Sequence, residues 1–149
     1  MTATVAQPAT TAPPPDPGSP RLVLAPGRTE QAVLDGGWWP RSRDLAAELP
    51  GLVLALAAHY GPIRQVMINR DTWEGGFRRL AVGDAVIRIG WFATLDPALL
   101  IATTDRGEQI DLLVVDPAVT DATAQRAMTV AADPTNTTRA GQILPPVSE

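Results

Sequence analysis

The segment that most constrains this chain is "LAAELPGLVLALAAHYGP", residues 45–62. Its apolar residues fall at 45, 49, 52, 53, 56 and 60, the spacing of one helix face. From Gly51 to Tyr60 it is apolar almost all round, so such a helix must be covered over most of its circumference. Gly61-Pro62 ends it, because glycine accepts the conformation of a helix terminus and proline cannot continue the hydrogen-bond ladder. Pro50 lies inside and predicts either a kink or a short helix passing into a second one. The longest apolar run, Leu52–Ala58, is about a third of the ~20 residues a membrane helix needs. The cover must therefore come from the chain itself.

The segments after the helix can supply it. "IRQVMIN" (Ile63–Asn69), "RRLAV" (Arg78–Val82), "AVIRIGWF" (Ala85–Phe92), "ALLIATT" (Ala98–Thr104) and "EQIDLLVVD" (Glu108–Asp116) all read as strands. Turn residues separate most of them, at Gly83-Asp84, Asp96-Pro97 and Asp105–Gly107. The unalternating "LLVV" predicts a central strand covered on both faces. Ahead of the helix, "RLVLAP" (Arg21–Pro26) and "QAVL" (Gln31–Leu34) read as a hairpin, which Asp35-Gly36-Gly37 then breaks. The pairs Gly36-Gly37 and Gly75-Gly76 read as turns needing positive φ. "TDATAQRAMTVAAD" (Thr120–Asp133) is a helix with Ala124, Ala127, Met128 and Ala131 on one face. The fold class is α+β: an antiparallel, curved sheet of six or seven strands, one long helix after the second strand, and a C-terminal helix.

Composition sets the limits of this body. Residues 1–20 hold six prolines and no aromatic, Leu or Ile, too little apolar surface to offset the entropy of ordering, and are expected to form a tail. The organisation is therefore a tail over 1–20, one globular domain over 21–133, and a polar C-terminal tail over 134–149, with Ile143 and Leu144 able to dock on the body. The tail has no basic stretch followed by an apolar run, as a secretory signal would, so a cytoplasmic, non-membrane protein is expected. There is no cysteine, which excludes disulfides, thiolate metal sites and cysteine nucleophiles. With one histidine besides, no metal site and no cofactor is expected. A net charge of −4 opposes broad nucleic-acid binding. All twelve basic residues are arginine, as codon bias in a GC-rich genome would produce.

The residues with binding chemistry gather at "WWPRSRDL", Trp38–Leu45. Trp38 and Trp39 are adjacent, so in extended backbone they point to opposite faces. One is expected to pack on the long helix, the other to cover an edge or line a groove. Ser42 is the N-cap candidate for the helix, with Asp44 in its first turn. Arg41 and Arg43 flank that helix start, where free N–H groups favour anions. If Arg78 and Arg79 come close, the cluster can hold a carboxylate or phosphate bidentately. Alternatively, Arg41 and Arg43 pair with Asp35, Asp44 or Glu48 as ordinary corner ion pairs. His59 falls near the end of the long helix, where its positive end-group chemistry is structural.

"LDGGWWPRSRDLAAELPGLV", the later "RRL", "RIGWF…DP" and "DLLVV" together resemble an uncharacterised actinobacterial family, the domain of unknown function family 5994. The resemblance covers most of 21–133 and implies a bacterial, cytoplasmic origin but no activity. The chain departs from that family's pattern at Ala98, where a histidine usually follows the Asp-Pro turn, and at Ile110, where an aromatic often precedes the strand. The leading functional expectation is a non-enzymatic binding or regulatory domain. It would take a protein partner or small anionic ligand at the corner formed by residues 38–43 (Trp38, Trp39, Arg41, Ser42, Arg43) with Arg78 and Arg79. The alternative is a small-molecule enzyme with a pocket between the sheet and the long helix. Nucleic-acid binding on the sheet face ranks third.

Overall fold

The computed structural model of the chain describes residues 10–11, 21–25, 34–133, 136 and 143. Most of the expected tails, and most of the expected strand Gln31–Leu34, lie outside the described residues, while Thr10–Thr11 of the expected N-terminal tail forms a two-residue strand. In chain order the elements are β1 (Thr10–Thr11), β2 (Leu22–Leu24), β3 (Gly36–Trp38), α1 (Leu45–Tyr60), β4 (Ile63–Asn69) and β5 (Arg79–Val82). These are followed by β6 (Ala85–Phe92), β7 (Leu99–Thr104), β8 (Gln109–Val114) and α2 (Asp121–Ala131). The class is α+β. All the strands join one sheet in the order β1-β5-β6-β4-β7-β8-β3-β2, where β1 contributes only two residues at one edge.

The sheet is mixed rather than antiparallel, since β1–β5, β4–β6 and β3–β8 pair in parallel. The reason lies in residues 70–78, too long a connection for a hairpin between β4 and β5. Instead β5 and β6 form the hairpin around Gly83 (φ 60°), and β6 lies beside β4. β7 and β8 pair antiparallel as expected.

α1 covers one face of this sheet and α2 the other. On the first face the fully buried Leu45, Leu49, Leu52 and Leu56 meet Val66, Ile68 and Leu100 among others. On the second, Ala124, Ala127, Met128 and Ala131 meet Leu34, Trp39, Leu113 and Val115. Burying each Leu contributes roughly 1.5–3 kcal/mol, so the apolar character of α1 decides where the main core sits. β8 serves both cores: Leu112 and Val114 enter the first, Leu113 and Val115 the second. The unalternating "LLVV" thus has the two covered faces it called for. Ile143 packs against the second cluster.

α1 runs unbroken through Pro50, so the two-helix alternative falls away. It stops at Gly61 (φ 105°), whose N–H donates to the Ala57 carbonyl at 2.9 Å. α2 begins at Thr120, whose hydroxyl accepts from the Thr123 N–H at 3.3 Å.

The reading of Gly36-Gly37 as a turn is corrected. Both sit in β3, paired with β2 on one side and β8 on the other, and neither has positive φ. They are small because their neighbours come close. A Cβ on Gly36 would collide with the Val23 carbonyl oxygen, and one on Gly37 would lie 2.9 Å from Met128 Cα. The described antiparallel partner of β2 is accordingly "GGW", Gly36–Trp38. Asp35, just ahead, is buried, and its carboxylate accepts the Asp111 N–H at 2.8 Å while its own N–H donates to the Asp111 carbonyl at 2.7 Å. That exchange joins the start of β3 to β8.

Candidate functional site

Trp38 and Trp39 do point to opposite faces, but both are buried, at 1% and 6% exposure. β3 lies between two covered faces, so a side chain leaving it on either side enters a core. Trp38 stacks on Trp73, ring centroids 5.4 Å apart and planes 13° from parallel. Trp39 packs on the α2 side, where its Nε1–H donates to the Asp116 carbonyl at 3.2 Å. The Arg21 guanidinium lies 3.7 Å over the Trp39 ring and donates to the carbonyls of Trp39 (2.9 Å) and Pro40 (2.8 Å). Burial, and then the charge of Arg41, lower the Arg21 pKa. The expectation that one tryptophan covers an edge or lines a groove is therefore corrected for this pair.

Ser42 is not the N-cap. Asp44 occupies that position, without a side-chain cap bond, and the Ser42 hydroxyl instead donates to Glu48 Oε2 at 2.8 Å. The same hydroxyl accepts from the Asp44 N–H at 3.2 Å, while Glu48 Oε1 accepts from the Arg41 N–H at 3.0 Å. Glu48, one turn into α1, thus reaches back and ties the corner to the helix start, where negative charge is favoured. Arg41 is exposed. Arg43 does form an ion pair, though with none of the three local acids. Its Nη2 meets Asp116 Oδ2 at 2.7 Å, and its Nη1 donates to the Thr72 carbonyl at 3.1 Å.

These contacts converge on one segment. Besides the bond from Arg43 to Thr72 and the Trp38–Trp73 stack, the Glu74 N–H donates to the Arg43 carbonyl at 2.9 Å. The Leu45 N–H, one of the unpaired donors of a helix start, donates to the Glu74 carbonyl at 3.3 Å. From the other end, Asn69 accepts from the Asp71 N–H (2.7 Å) and the Thr72 hydroxyl (3.2 Å) and donates to the Leu95 carbonyl (2.7 Å). The corner "WWPRSRDL" is the brace of the loop "RDTWEGGF".

The braced loop forms one wall of an open groove of about 670 Å³, with the end of β6 as the other. Arg70, Trp73, Gly75, Gly76, Arg78 and Trp91 are among the residues lining it. Gly75 (φ 147°) and Gly76 (φ 90°) have the positive φ expected of them. The Trp91 indole is fixed by donating to the Phe77 carbonyl at 2.7 Å and by the edge of the Phe77 ring, 5.9 Å between centroids. A Cβ on Gly75 would lie 2.7 Å from the Phe77 ring and 3.2 Å from Trp91, so glycine lets the loop close on both. Arg70 approaches Asp71 at only 4.0 Å, with both side chains well exposed, a pairing of little strength. Arg78 is exposed and forms no ion pair among the described residues.

Of the arginines singled out by sequence, Arg78 reaches this groove and Arg79 does not. The alternation of β5 sends Leu80 and Val82 into the α1 core, Arg78 to the same side, and Arg79 to the opposite face. Arg70, Trp73 and Trp91 were not singled out as a group. The available signal was the loop itself: a long polar connection carrying an Arg, a Trp and two glycines is uncommon inside a compact domain. His59 is exposed in the last turn of α1, its ring edge-on to Tyr60 at 4.6 Å. Among the described residues, no helix is long and apolar enough to cross a membrane.

Neither the curated proteins nor the solved structures contain a match to this chain. A family model does match, over residues 21–131, a span that takes in the brace, the loop, the groove and both helices. The chain therefore belongs to the family of unknown function DUF5994.

Proposed function

We propose that this chain is a non-enzymatic, cytoplasmic binding domain for a small anionic molecule, held in the groove between the 70–78 loop and β6. The observation that carries the reading is the lining of that groove. Two arginines, Arg70 and Arg78, stand against one acid, Asp71, beside the half-buried indole of Trp91, while Trp73, buried and stacked on Trp38, forms the floor. Arginine is suited to carboxylate and phosphate because its planar fork donates two parallel hydrogen bonds. An indole beside it offers a flat apolar surface for a ring or chain attached to the anion. The volume of about 670 Å³ falls in the usual range for small-molecule sites. The brace fits this use, since a loop held at Thr72, Trp73 and Glu74 presents its groove residues with little ordering cost on binding. The arginine-only basic complement is in keeping with an actinobacterial source.

Thermal unfolding with inorganic phosphate, pyrophosphate, citrate and AMP tests this. A ligand that binds only the folded state stabilises it by RT ln(1 + [L]/Kd), about 2.7 kcal/mol at a hundred times Kd. At least one of these anions should raise the melting temperature in a dose-dependent way. Arg70→Ala/Arg78→Ala should remove the shift, whereas Arg41→Ala should keep it. No shift with any of the four, or an undiminished shift in the double variant, refutes the groove as an anion site.

A further inference from the structure

The other product of the "RRL" alternation is a pair of arginines side by side on the sheet face away from α1. Arg79 of β5 and Arg88 of β6 are register partners. Because the Ile89 N–H donates to the Arg78 carbonyl, 78 and 89 form a hydrogen-bonded pair. The next pair along, 79 and 88, is then a non-hydrogen-bonded one, whose Cα atoms approach to about 4.5 Å and whose side chains are the closer kind. Like charges directly opposite in this position oppose pairing. Both side chains are exposed, and neither has an ion-pair partner among the described residues.

On this face the pair is flanked by Gln65, the register partner of Arg88 on β4, and by exposed apolar side chains of β6. Val86 and Phe92, on the same face of β6, are large apolar side chains left 51% and 44% exposed. The Phe92 ring lies over Gly90 next to Met67 of the neighbouring β4: a Cβ on Gly90 would meet that ring at 2.7 Å and Met67 at 3.5 Å. α2 packs over β2, β3 and β8 and leaves the β5–β6 half of this face uncovered among the described residues. The chain's own ends do not carry the complementary charge, since residues 1–20 contain one acid, Asp16, and residues 134–149 one acid, Glu149.

We infer that this half of the sheet face docks an acidic, amphipathic segment of a partner protein. Its carboxylates would bridge Arg79 and Arg88, and its apolar side chains would cover Val86 and Phe92. Binding turns a repulsive pair into one that shares counter-charges, so the same arginines oppose the stability of the free domain and favour the complex. A protein segment fits better than a nucleic acid because the cationic patch is small and the chain as a whole is negative, at −4. The surface is separate from the groove: it lies on the opposite side of β5 and stands whether or not the groove binds an anion.

The test uses the full chain and a fluorescein-labelled 15-residue peptide alternating Glu with Leu and Phe, read by fluorescence anisotropy. Wild type should bind it, and Arg79→Glu/Arg88→Glu should lose at least tenfold in affinity. The same charge-reversed variant should bind the matching peptide with Lys in place of Glu. Arg88→Ala alone should melt at a higher temperature than wild type, a gain that a purely structural role for the arginine would not produce. Equal peptide affinity in wild type and reversed variant overturns the inference, as does no binding by wild type. So does arginine-dependent binding of oligothymidylate in preference to the peptide.

Discussion

Replacing Gly37 by alanine tests the close approach of α2 to β3. The added methyl would lie 2.9 Å from both Met128 Cα and Met128 Cγ and 3.2 Å from Met128 Cβ. Ordinary carbon–carbon contacts fall near 3.5–4.0 Å, so strand and helix must part by roughly half an ångström or more. The Met128 side chain can turn away, but its Cα belongs to the α2 backbone and cannot. Overpacking of this kind typically costs about 1–3 kcal/mol. Against it, Gly37 has no positive φ, so alanine also restricts the unfolded chain and returns about 0.4–1 kcal/mol. The net expectation is a loss of about 1–2 kcal/mol. For a chain of 149 residues that is a fall in melting temperature of roughly 3–6 °C. Urea unfolding followed by tryptophan fluorescence measures it directly. Combining it with Met128→Ala should be less harmful than the sum of the two, because part of the clash is with the removed Cγ. A Gly37→Ala protein as stable as wild type would refute close approach as the reason for glycine here.

The remaining expectations concern the corner and the helix ends. Thr120→Ala should cost about 1 kcal/mol through loss of the α2 cap, measured by chemical unfolding. Ser42→Ala should cost less than that, and its effect should largely vanish in a Glu48→Ala background, since the hydroxyl works through the Glu48 carboxylate. A double-mutant cycle on Arg43→Ala and Asp116→Ala should give a coupling of about 0.5–1 kcal/mol. A larger value would be out of place for side chains still 37% and 31% exposed.

The parts of this fold that were legible from sequence are those decided by local periodicity. α1 followed from its apolar spacing, though not the all-round burial expected of its second half, where Leu54 is 48% exposed and Ala58 faces out. The double burial of β8 followed from "LLVV", and the opposite facing of Trp38 and Trp39 from the two-residue repeat of extended chain. What escaped was decided by residues far along the chain. Gly36-Gly37 reads as a turn until Met128 and Val23 are seen to crowd it, and the acid that holds Arg43 is Asp116 rather than any neighbour. Ser42 reads as a cap because nothing local shows that Glu74 binds back across Arg43 and Leu45 and starts the helix later. The groove was hidden for the same reason: Arg70, Trp73 and Arg78 of the 70–78 loop meet Trp91 of β6 only once β6 lies beside β4.

That the tryptophan and arginine corner braces the 70–78 loop is most directly tested by amide hydrogen exchange in wild type and Arg43→Ala. Arg43→Ala removes the guanidinium bonds to Thr72 and Asp116 and loosens the backbone exchange with Glu74. A local loss of about 1.4 kcal/mol corresponds to a tenfold faster opening. Protection at the Glu74 and Leu45 amides should fall about tenfold, while Leu112 and Leu113 in β8 keep theirs. Unchanged protection at Glu74, or an equal loss across β8, would contradict the brace.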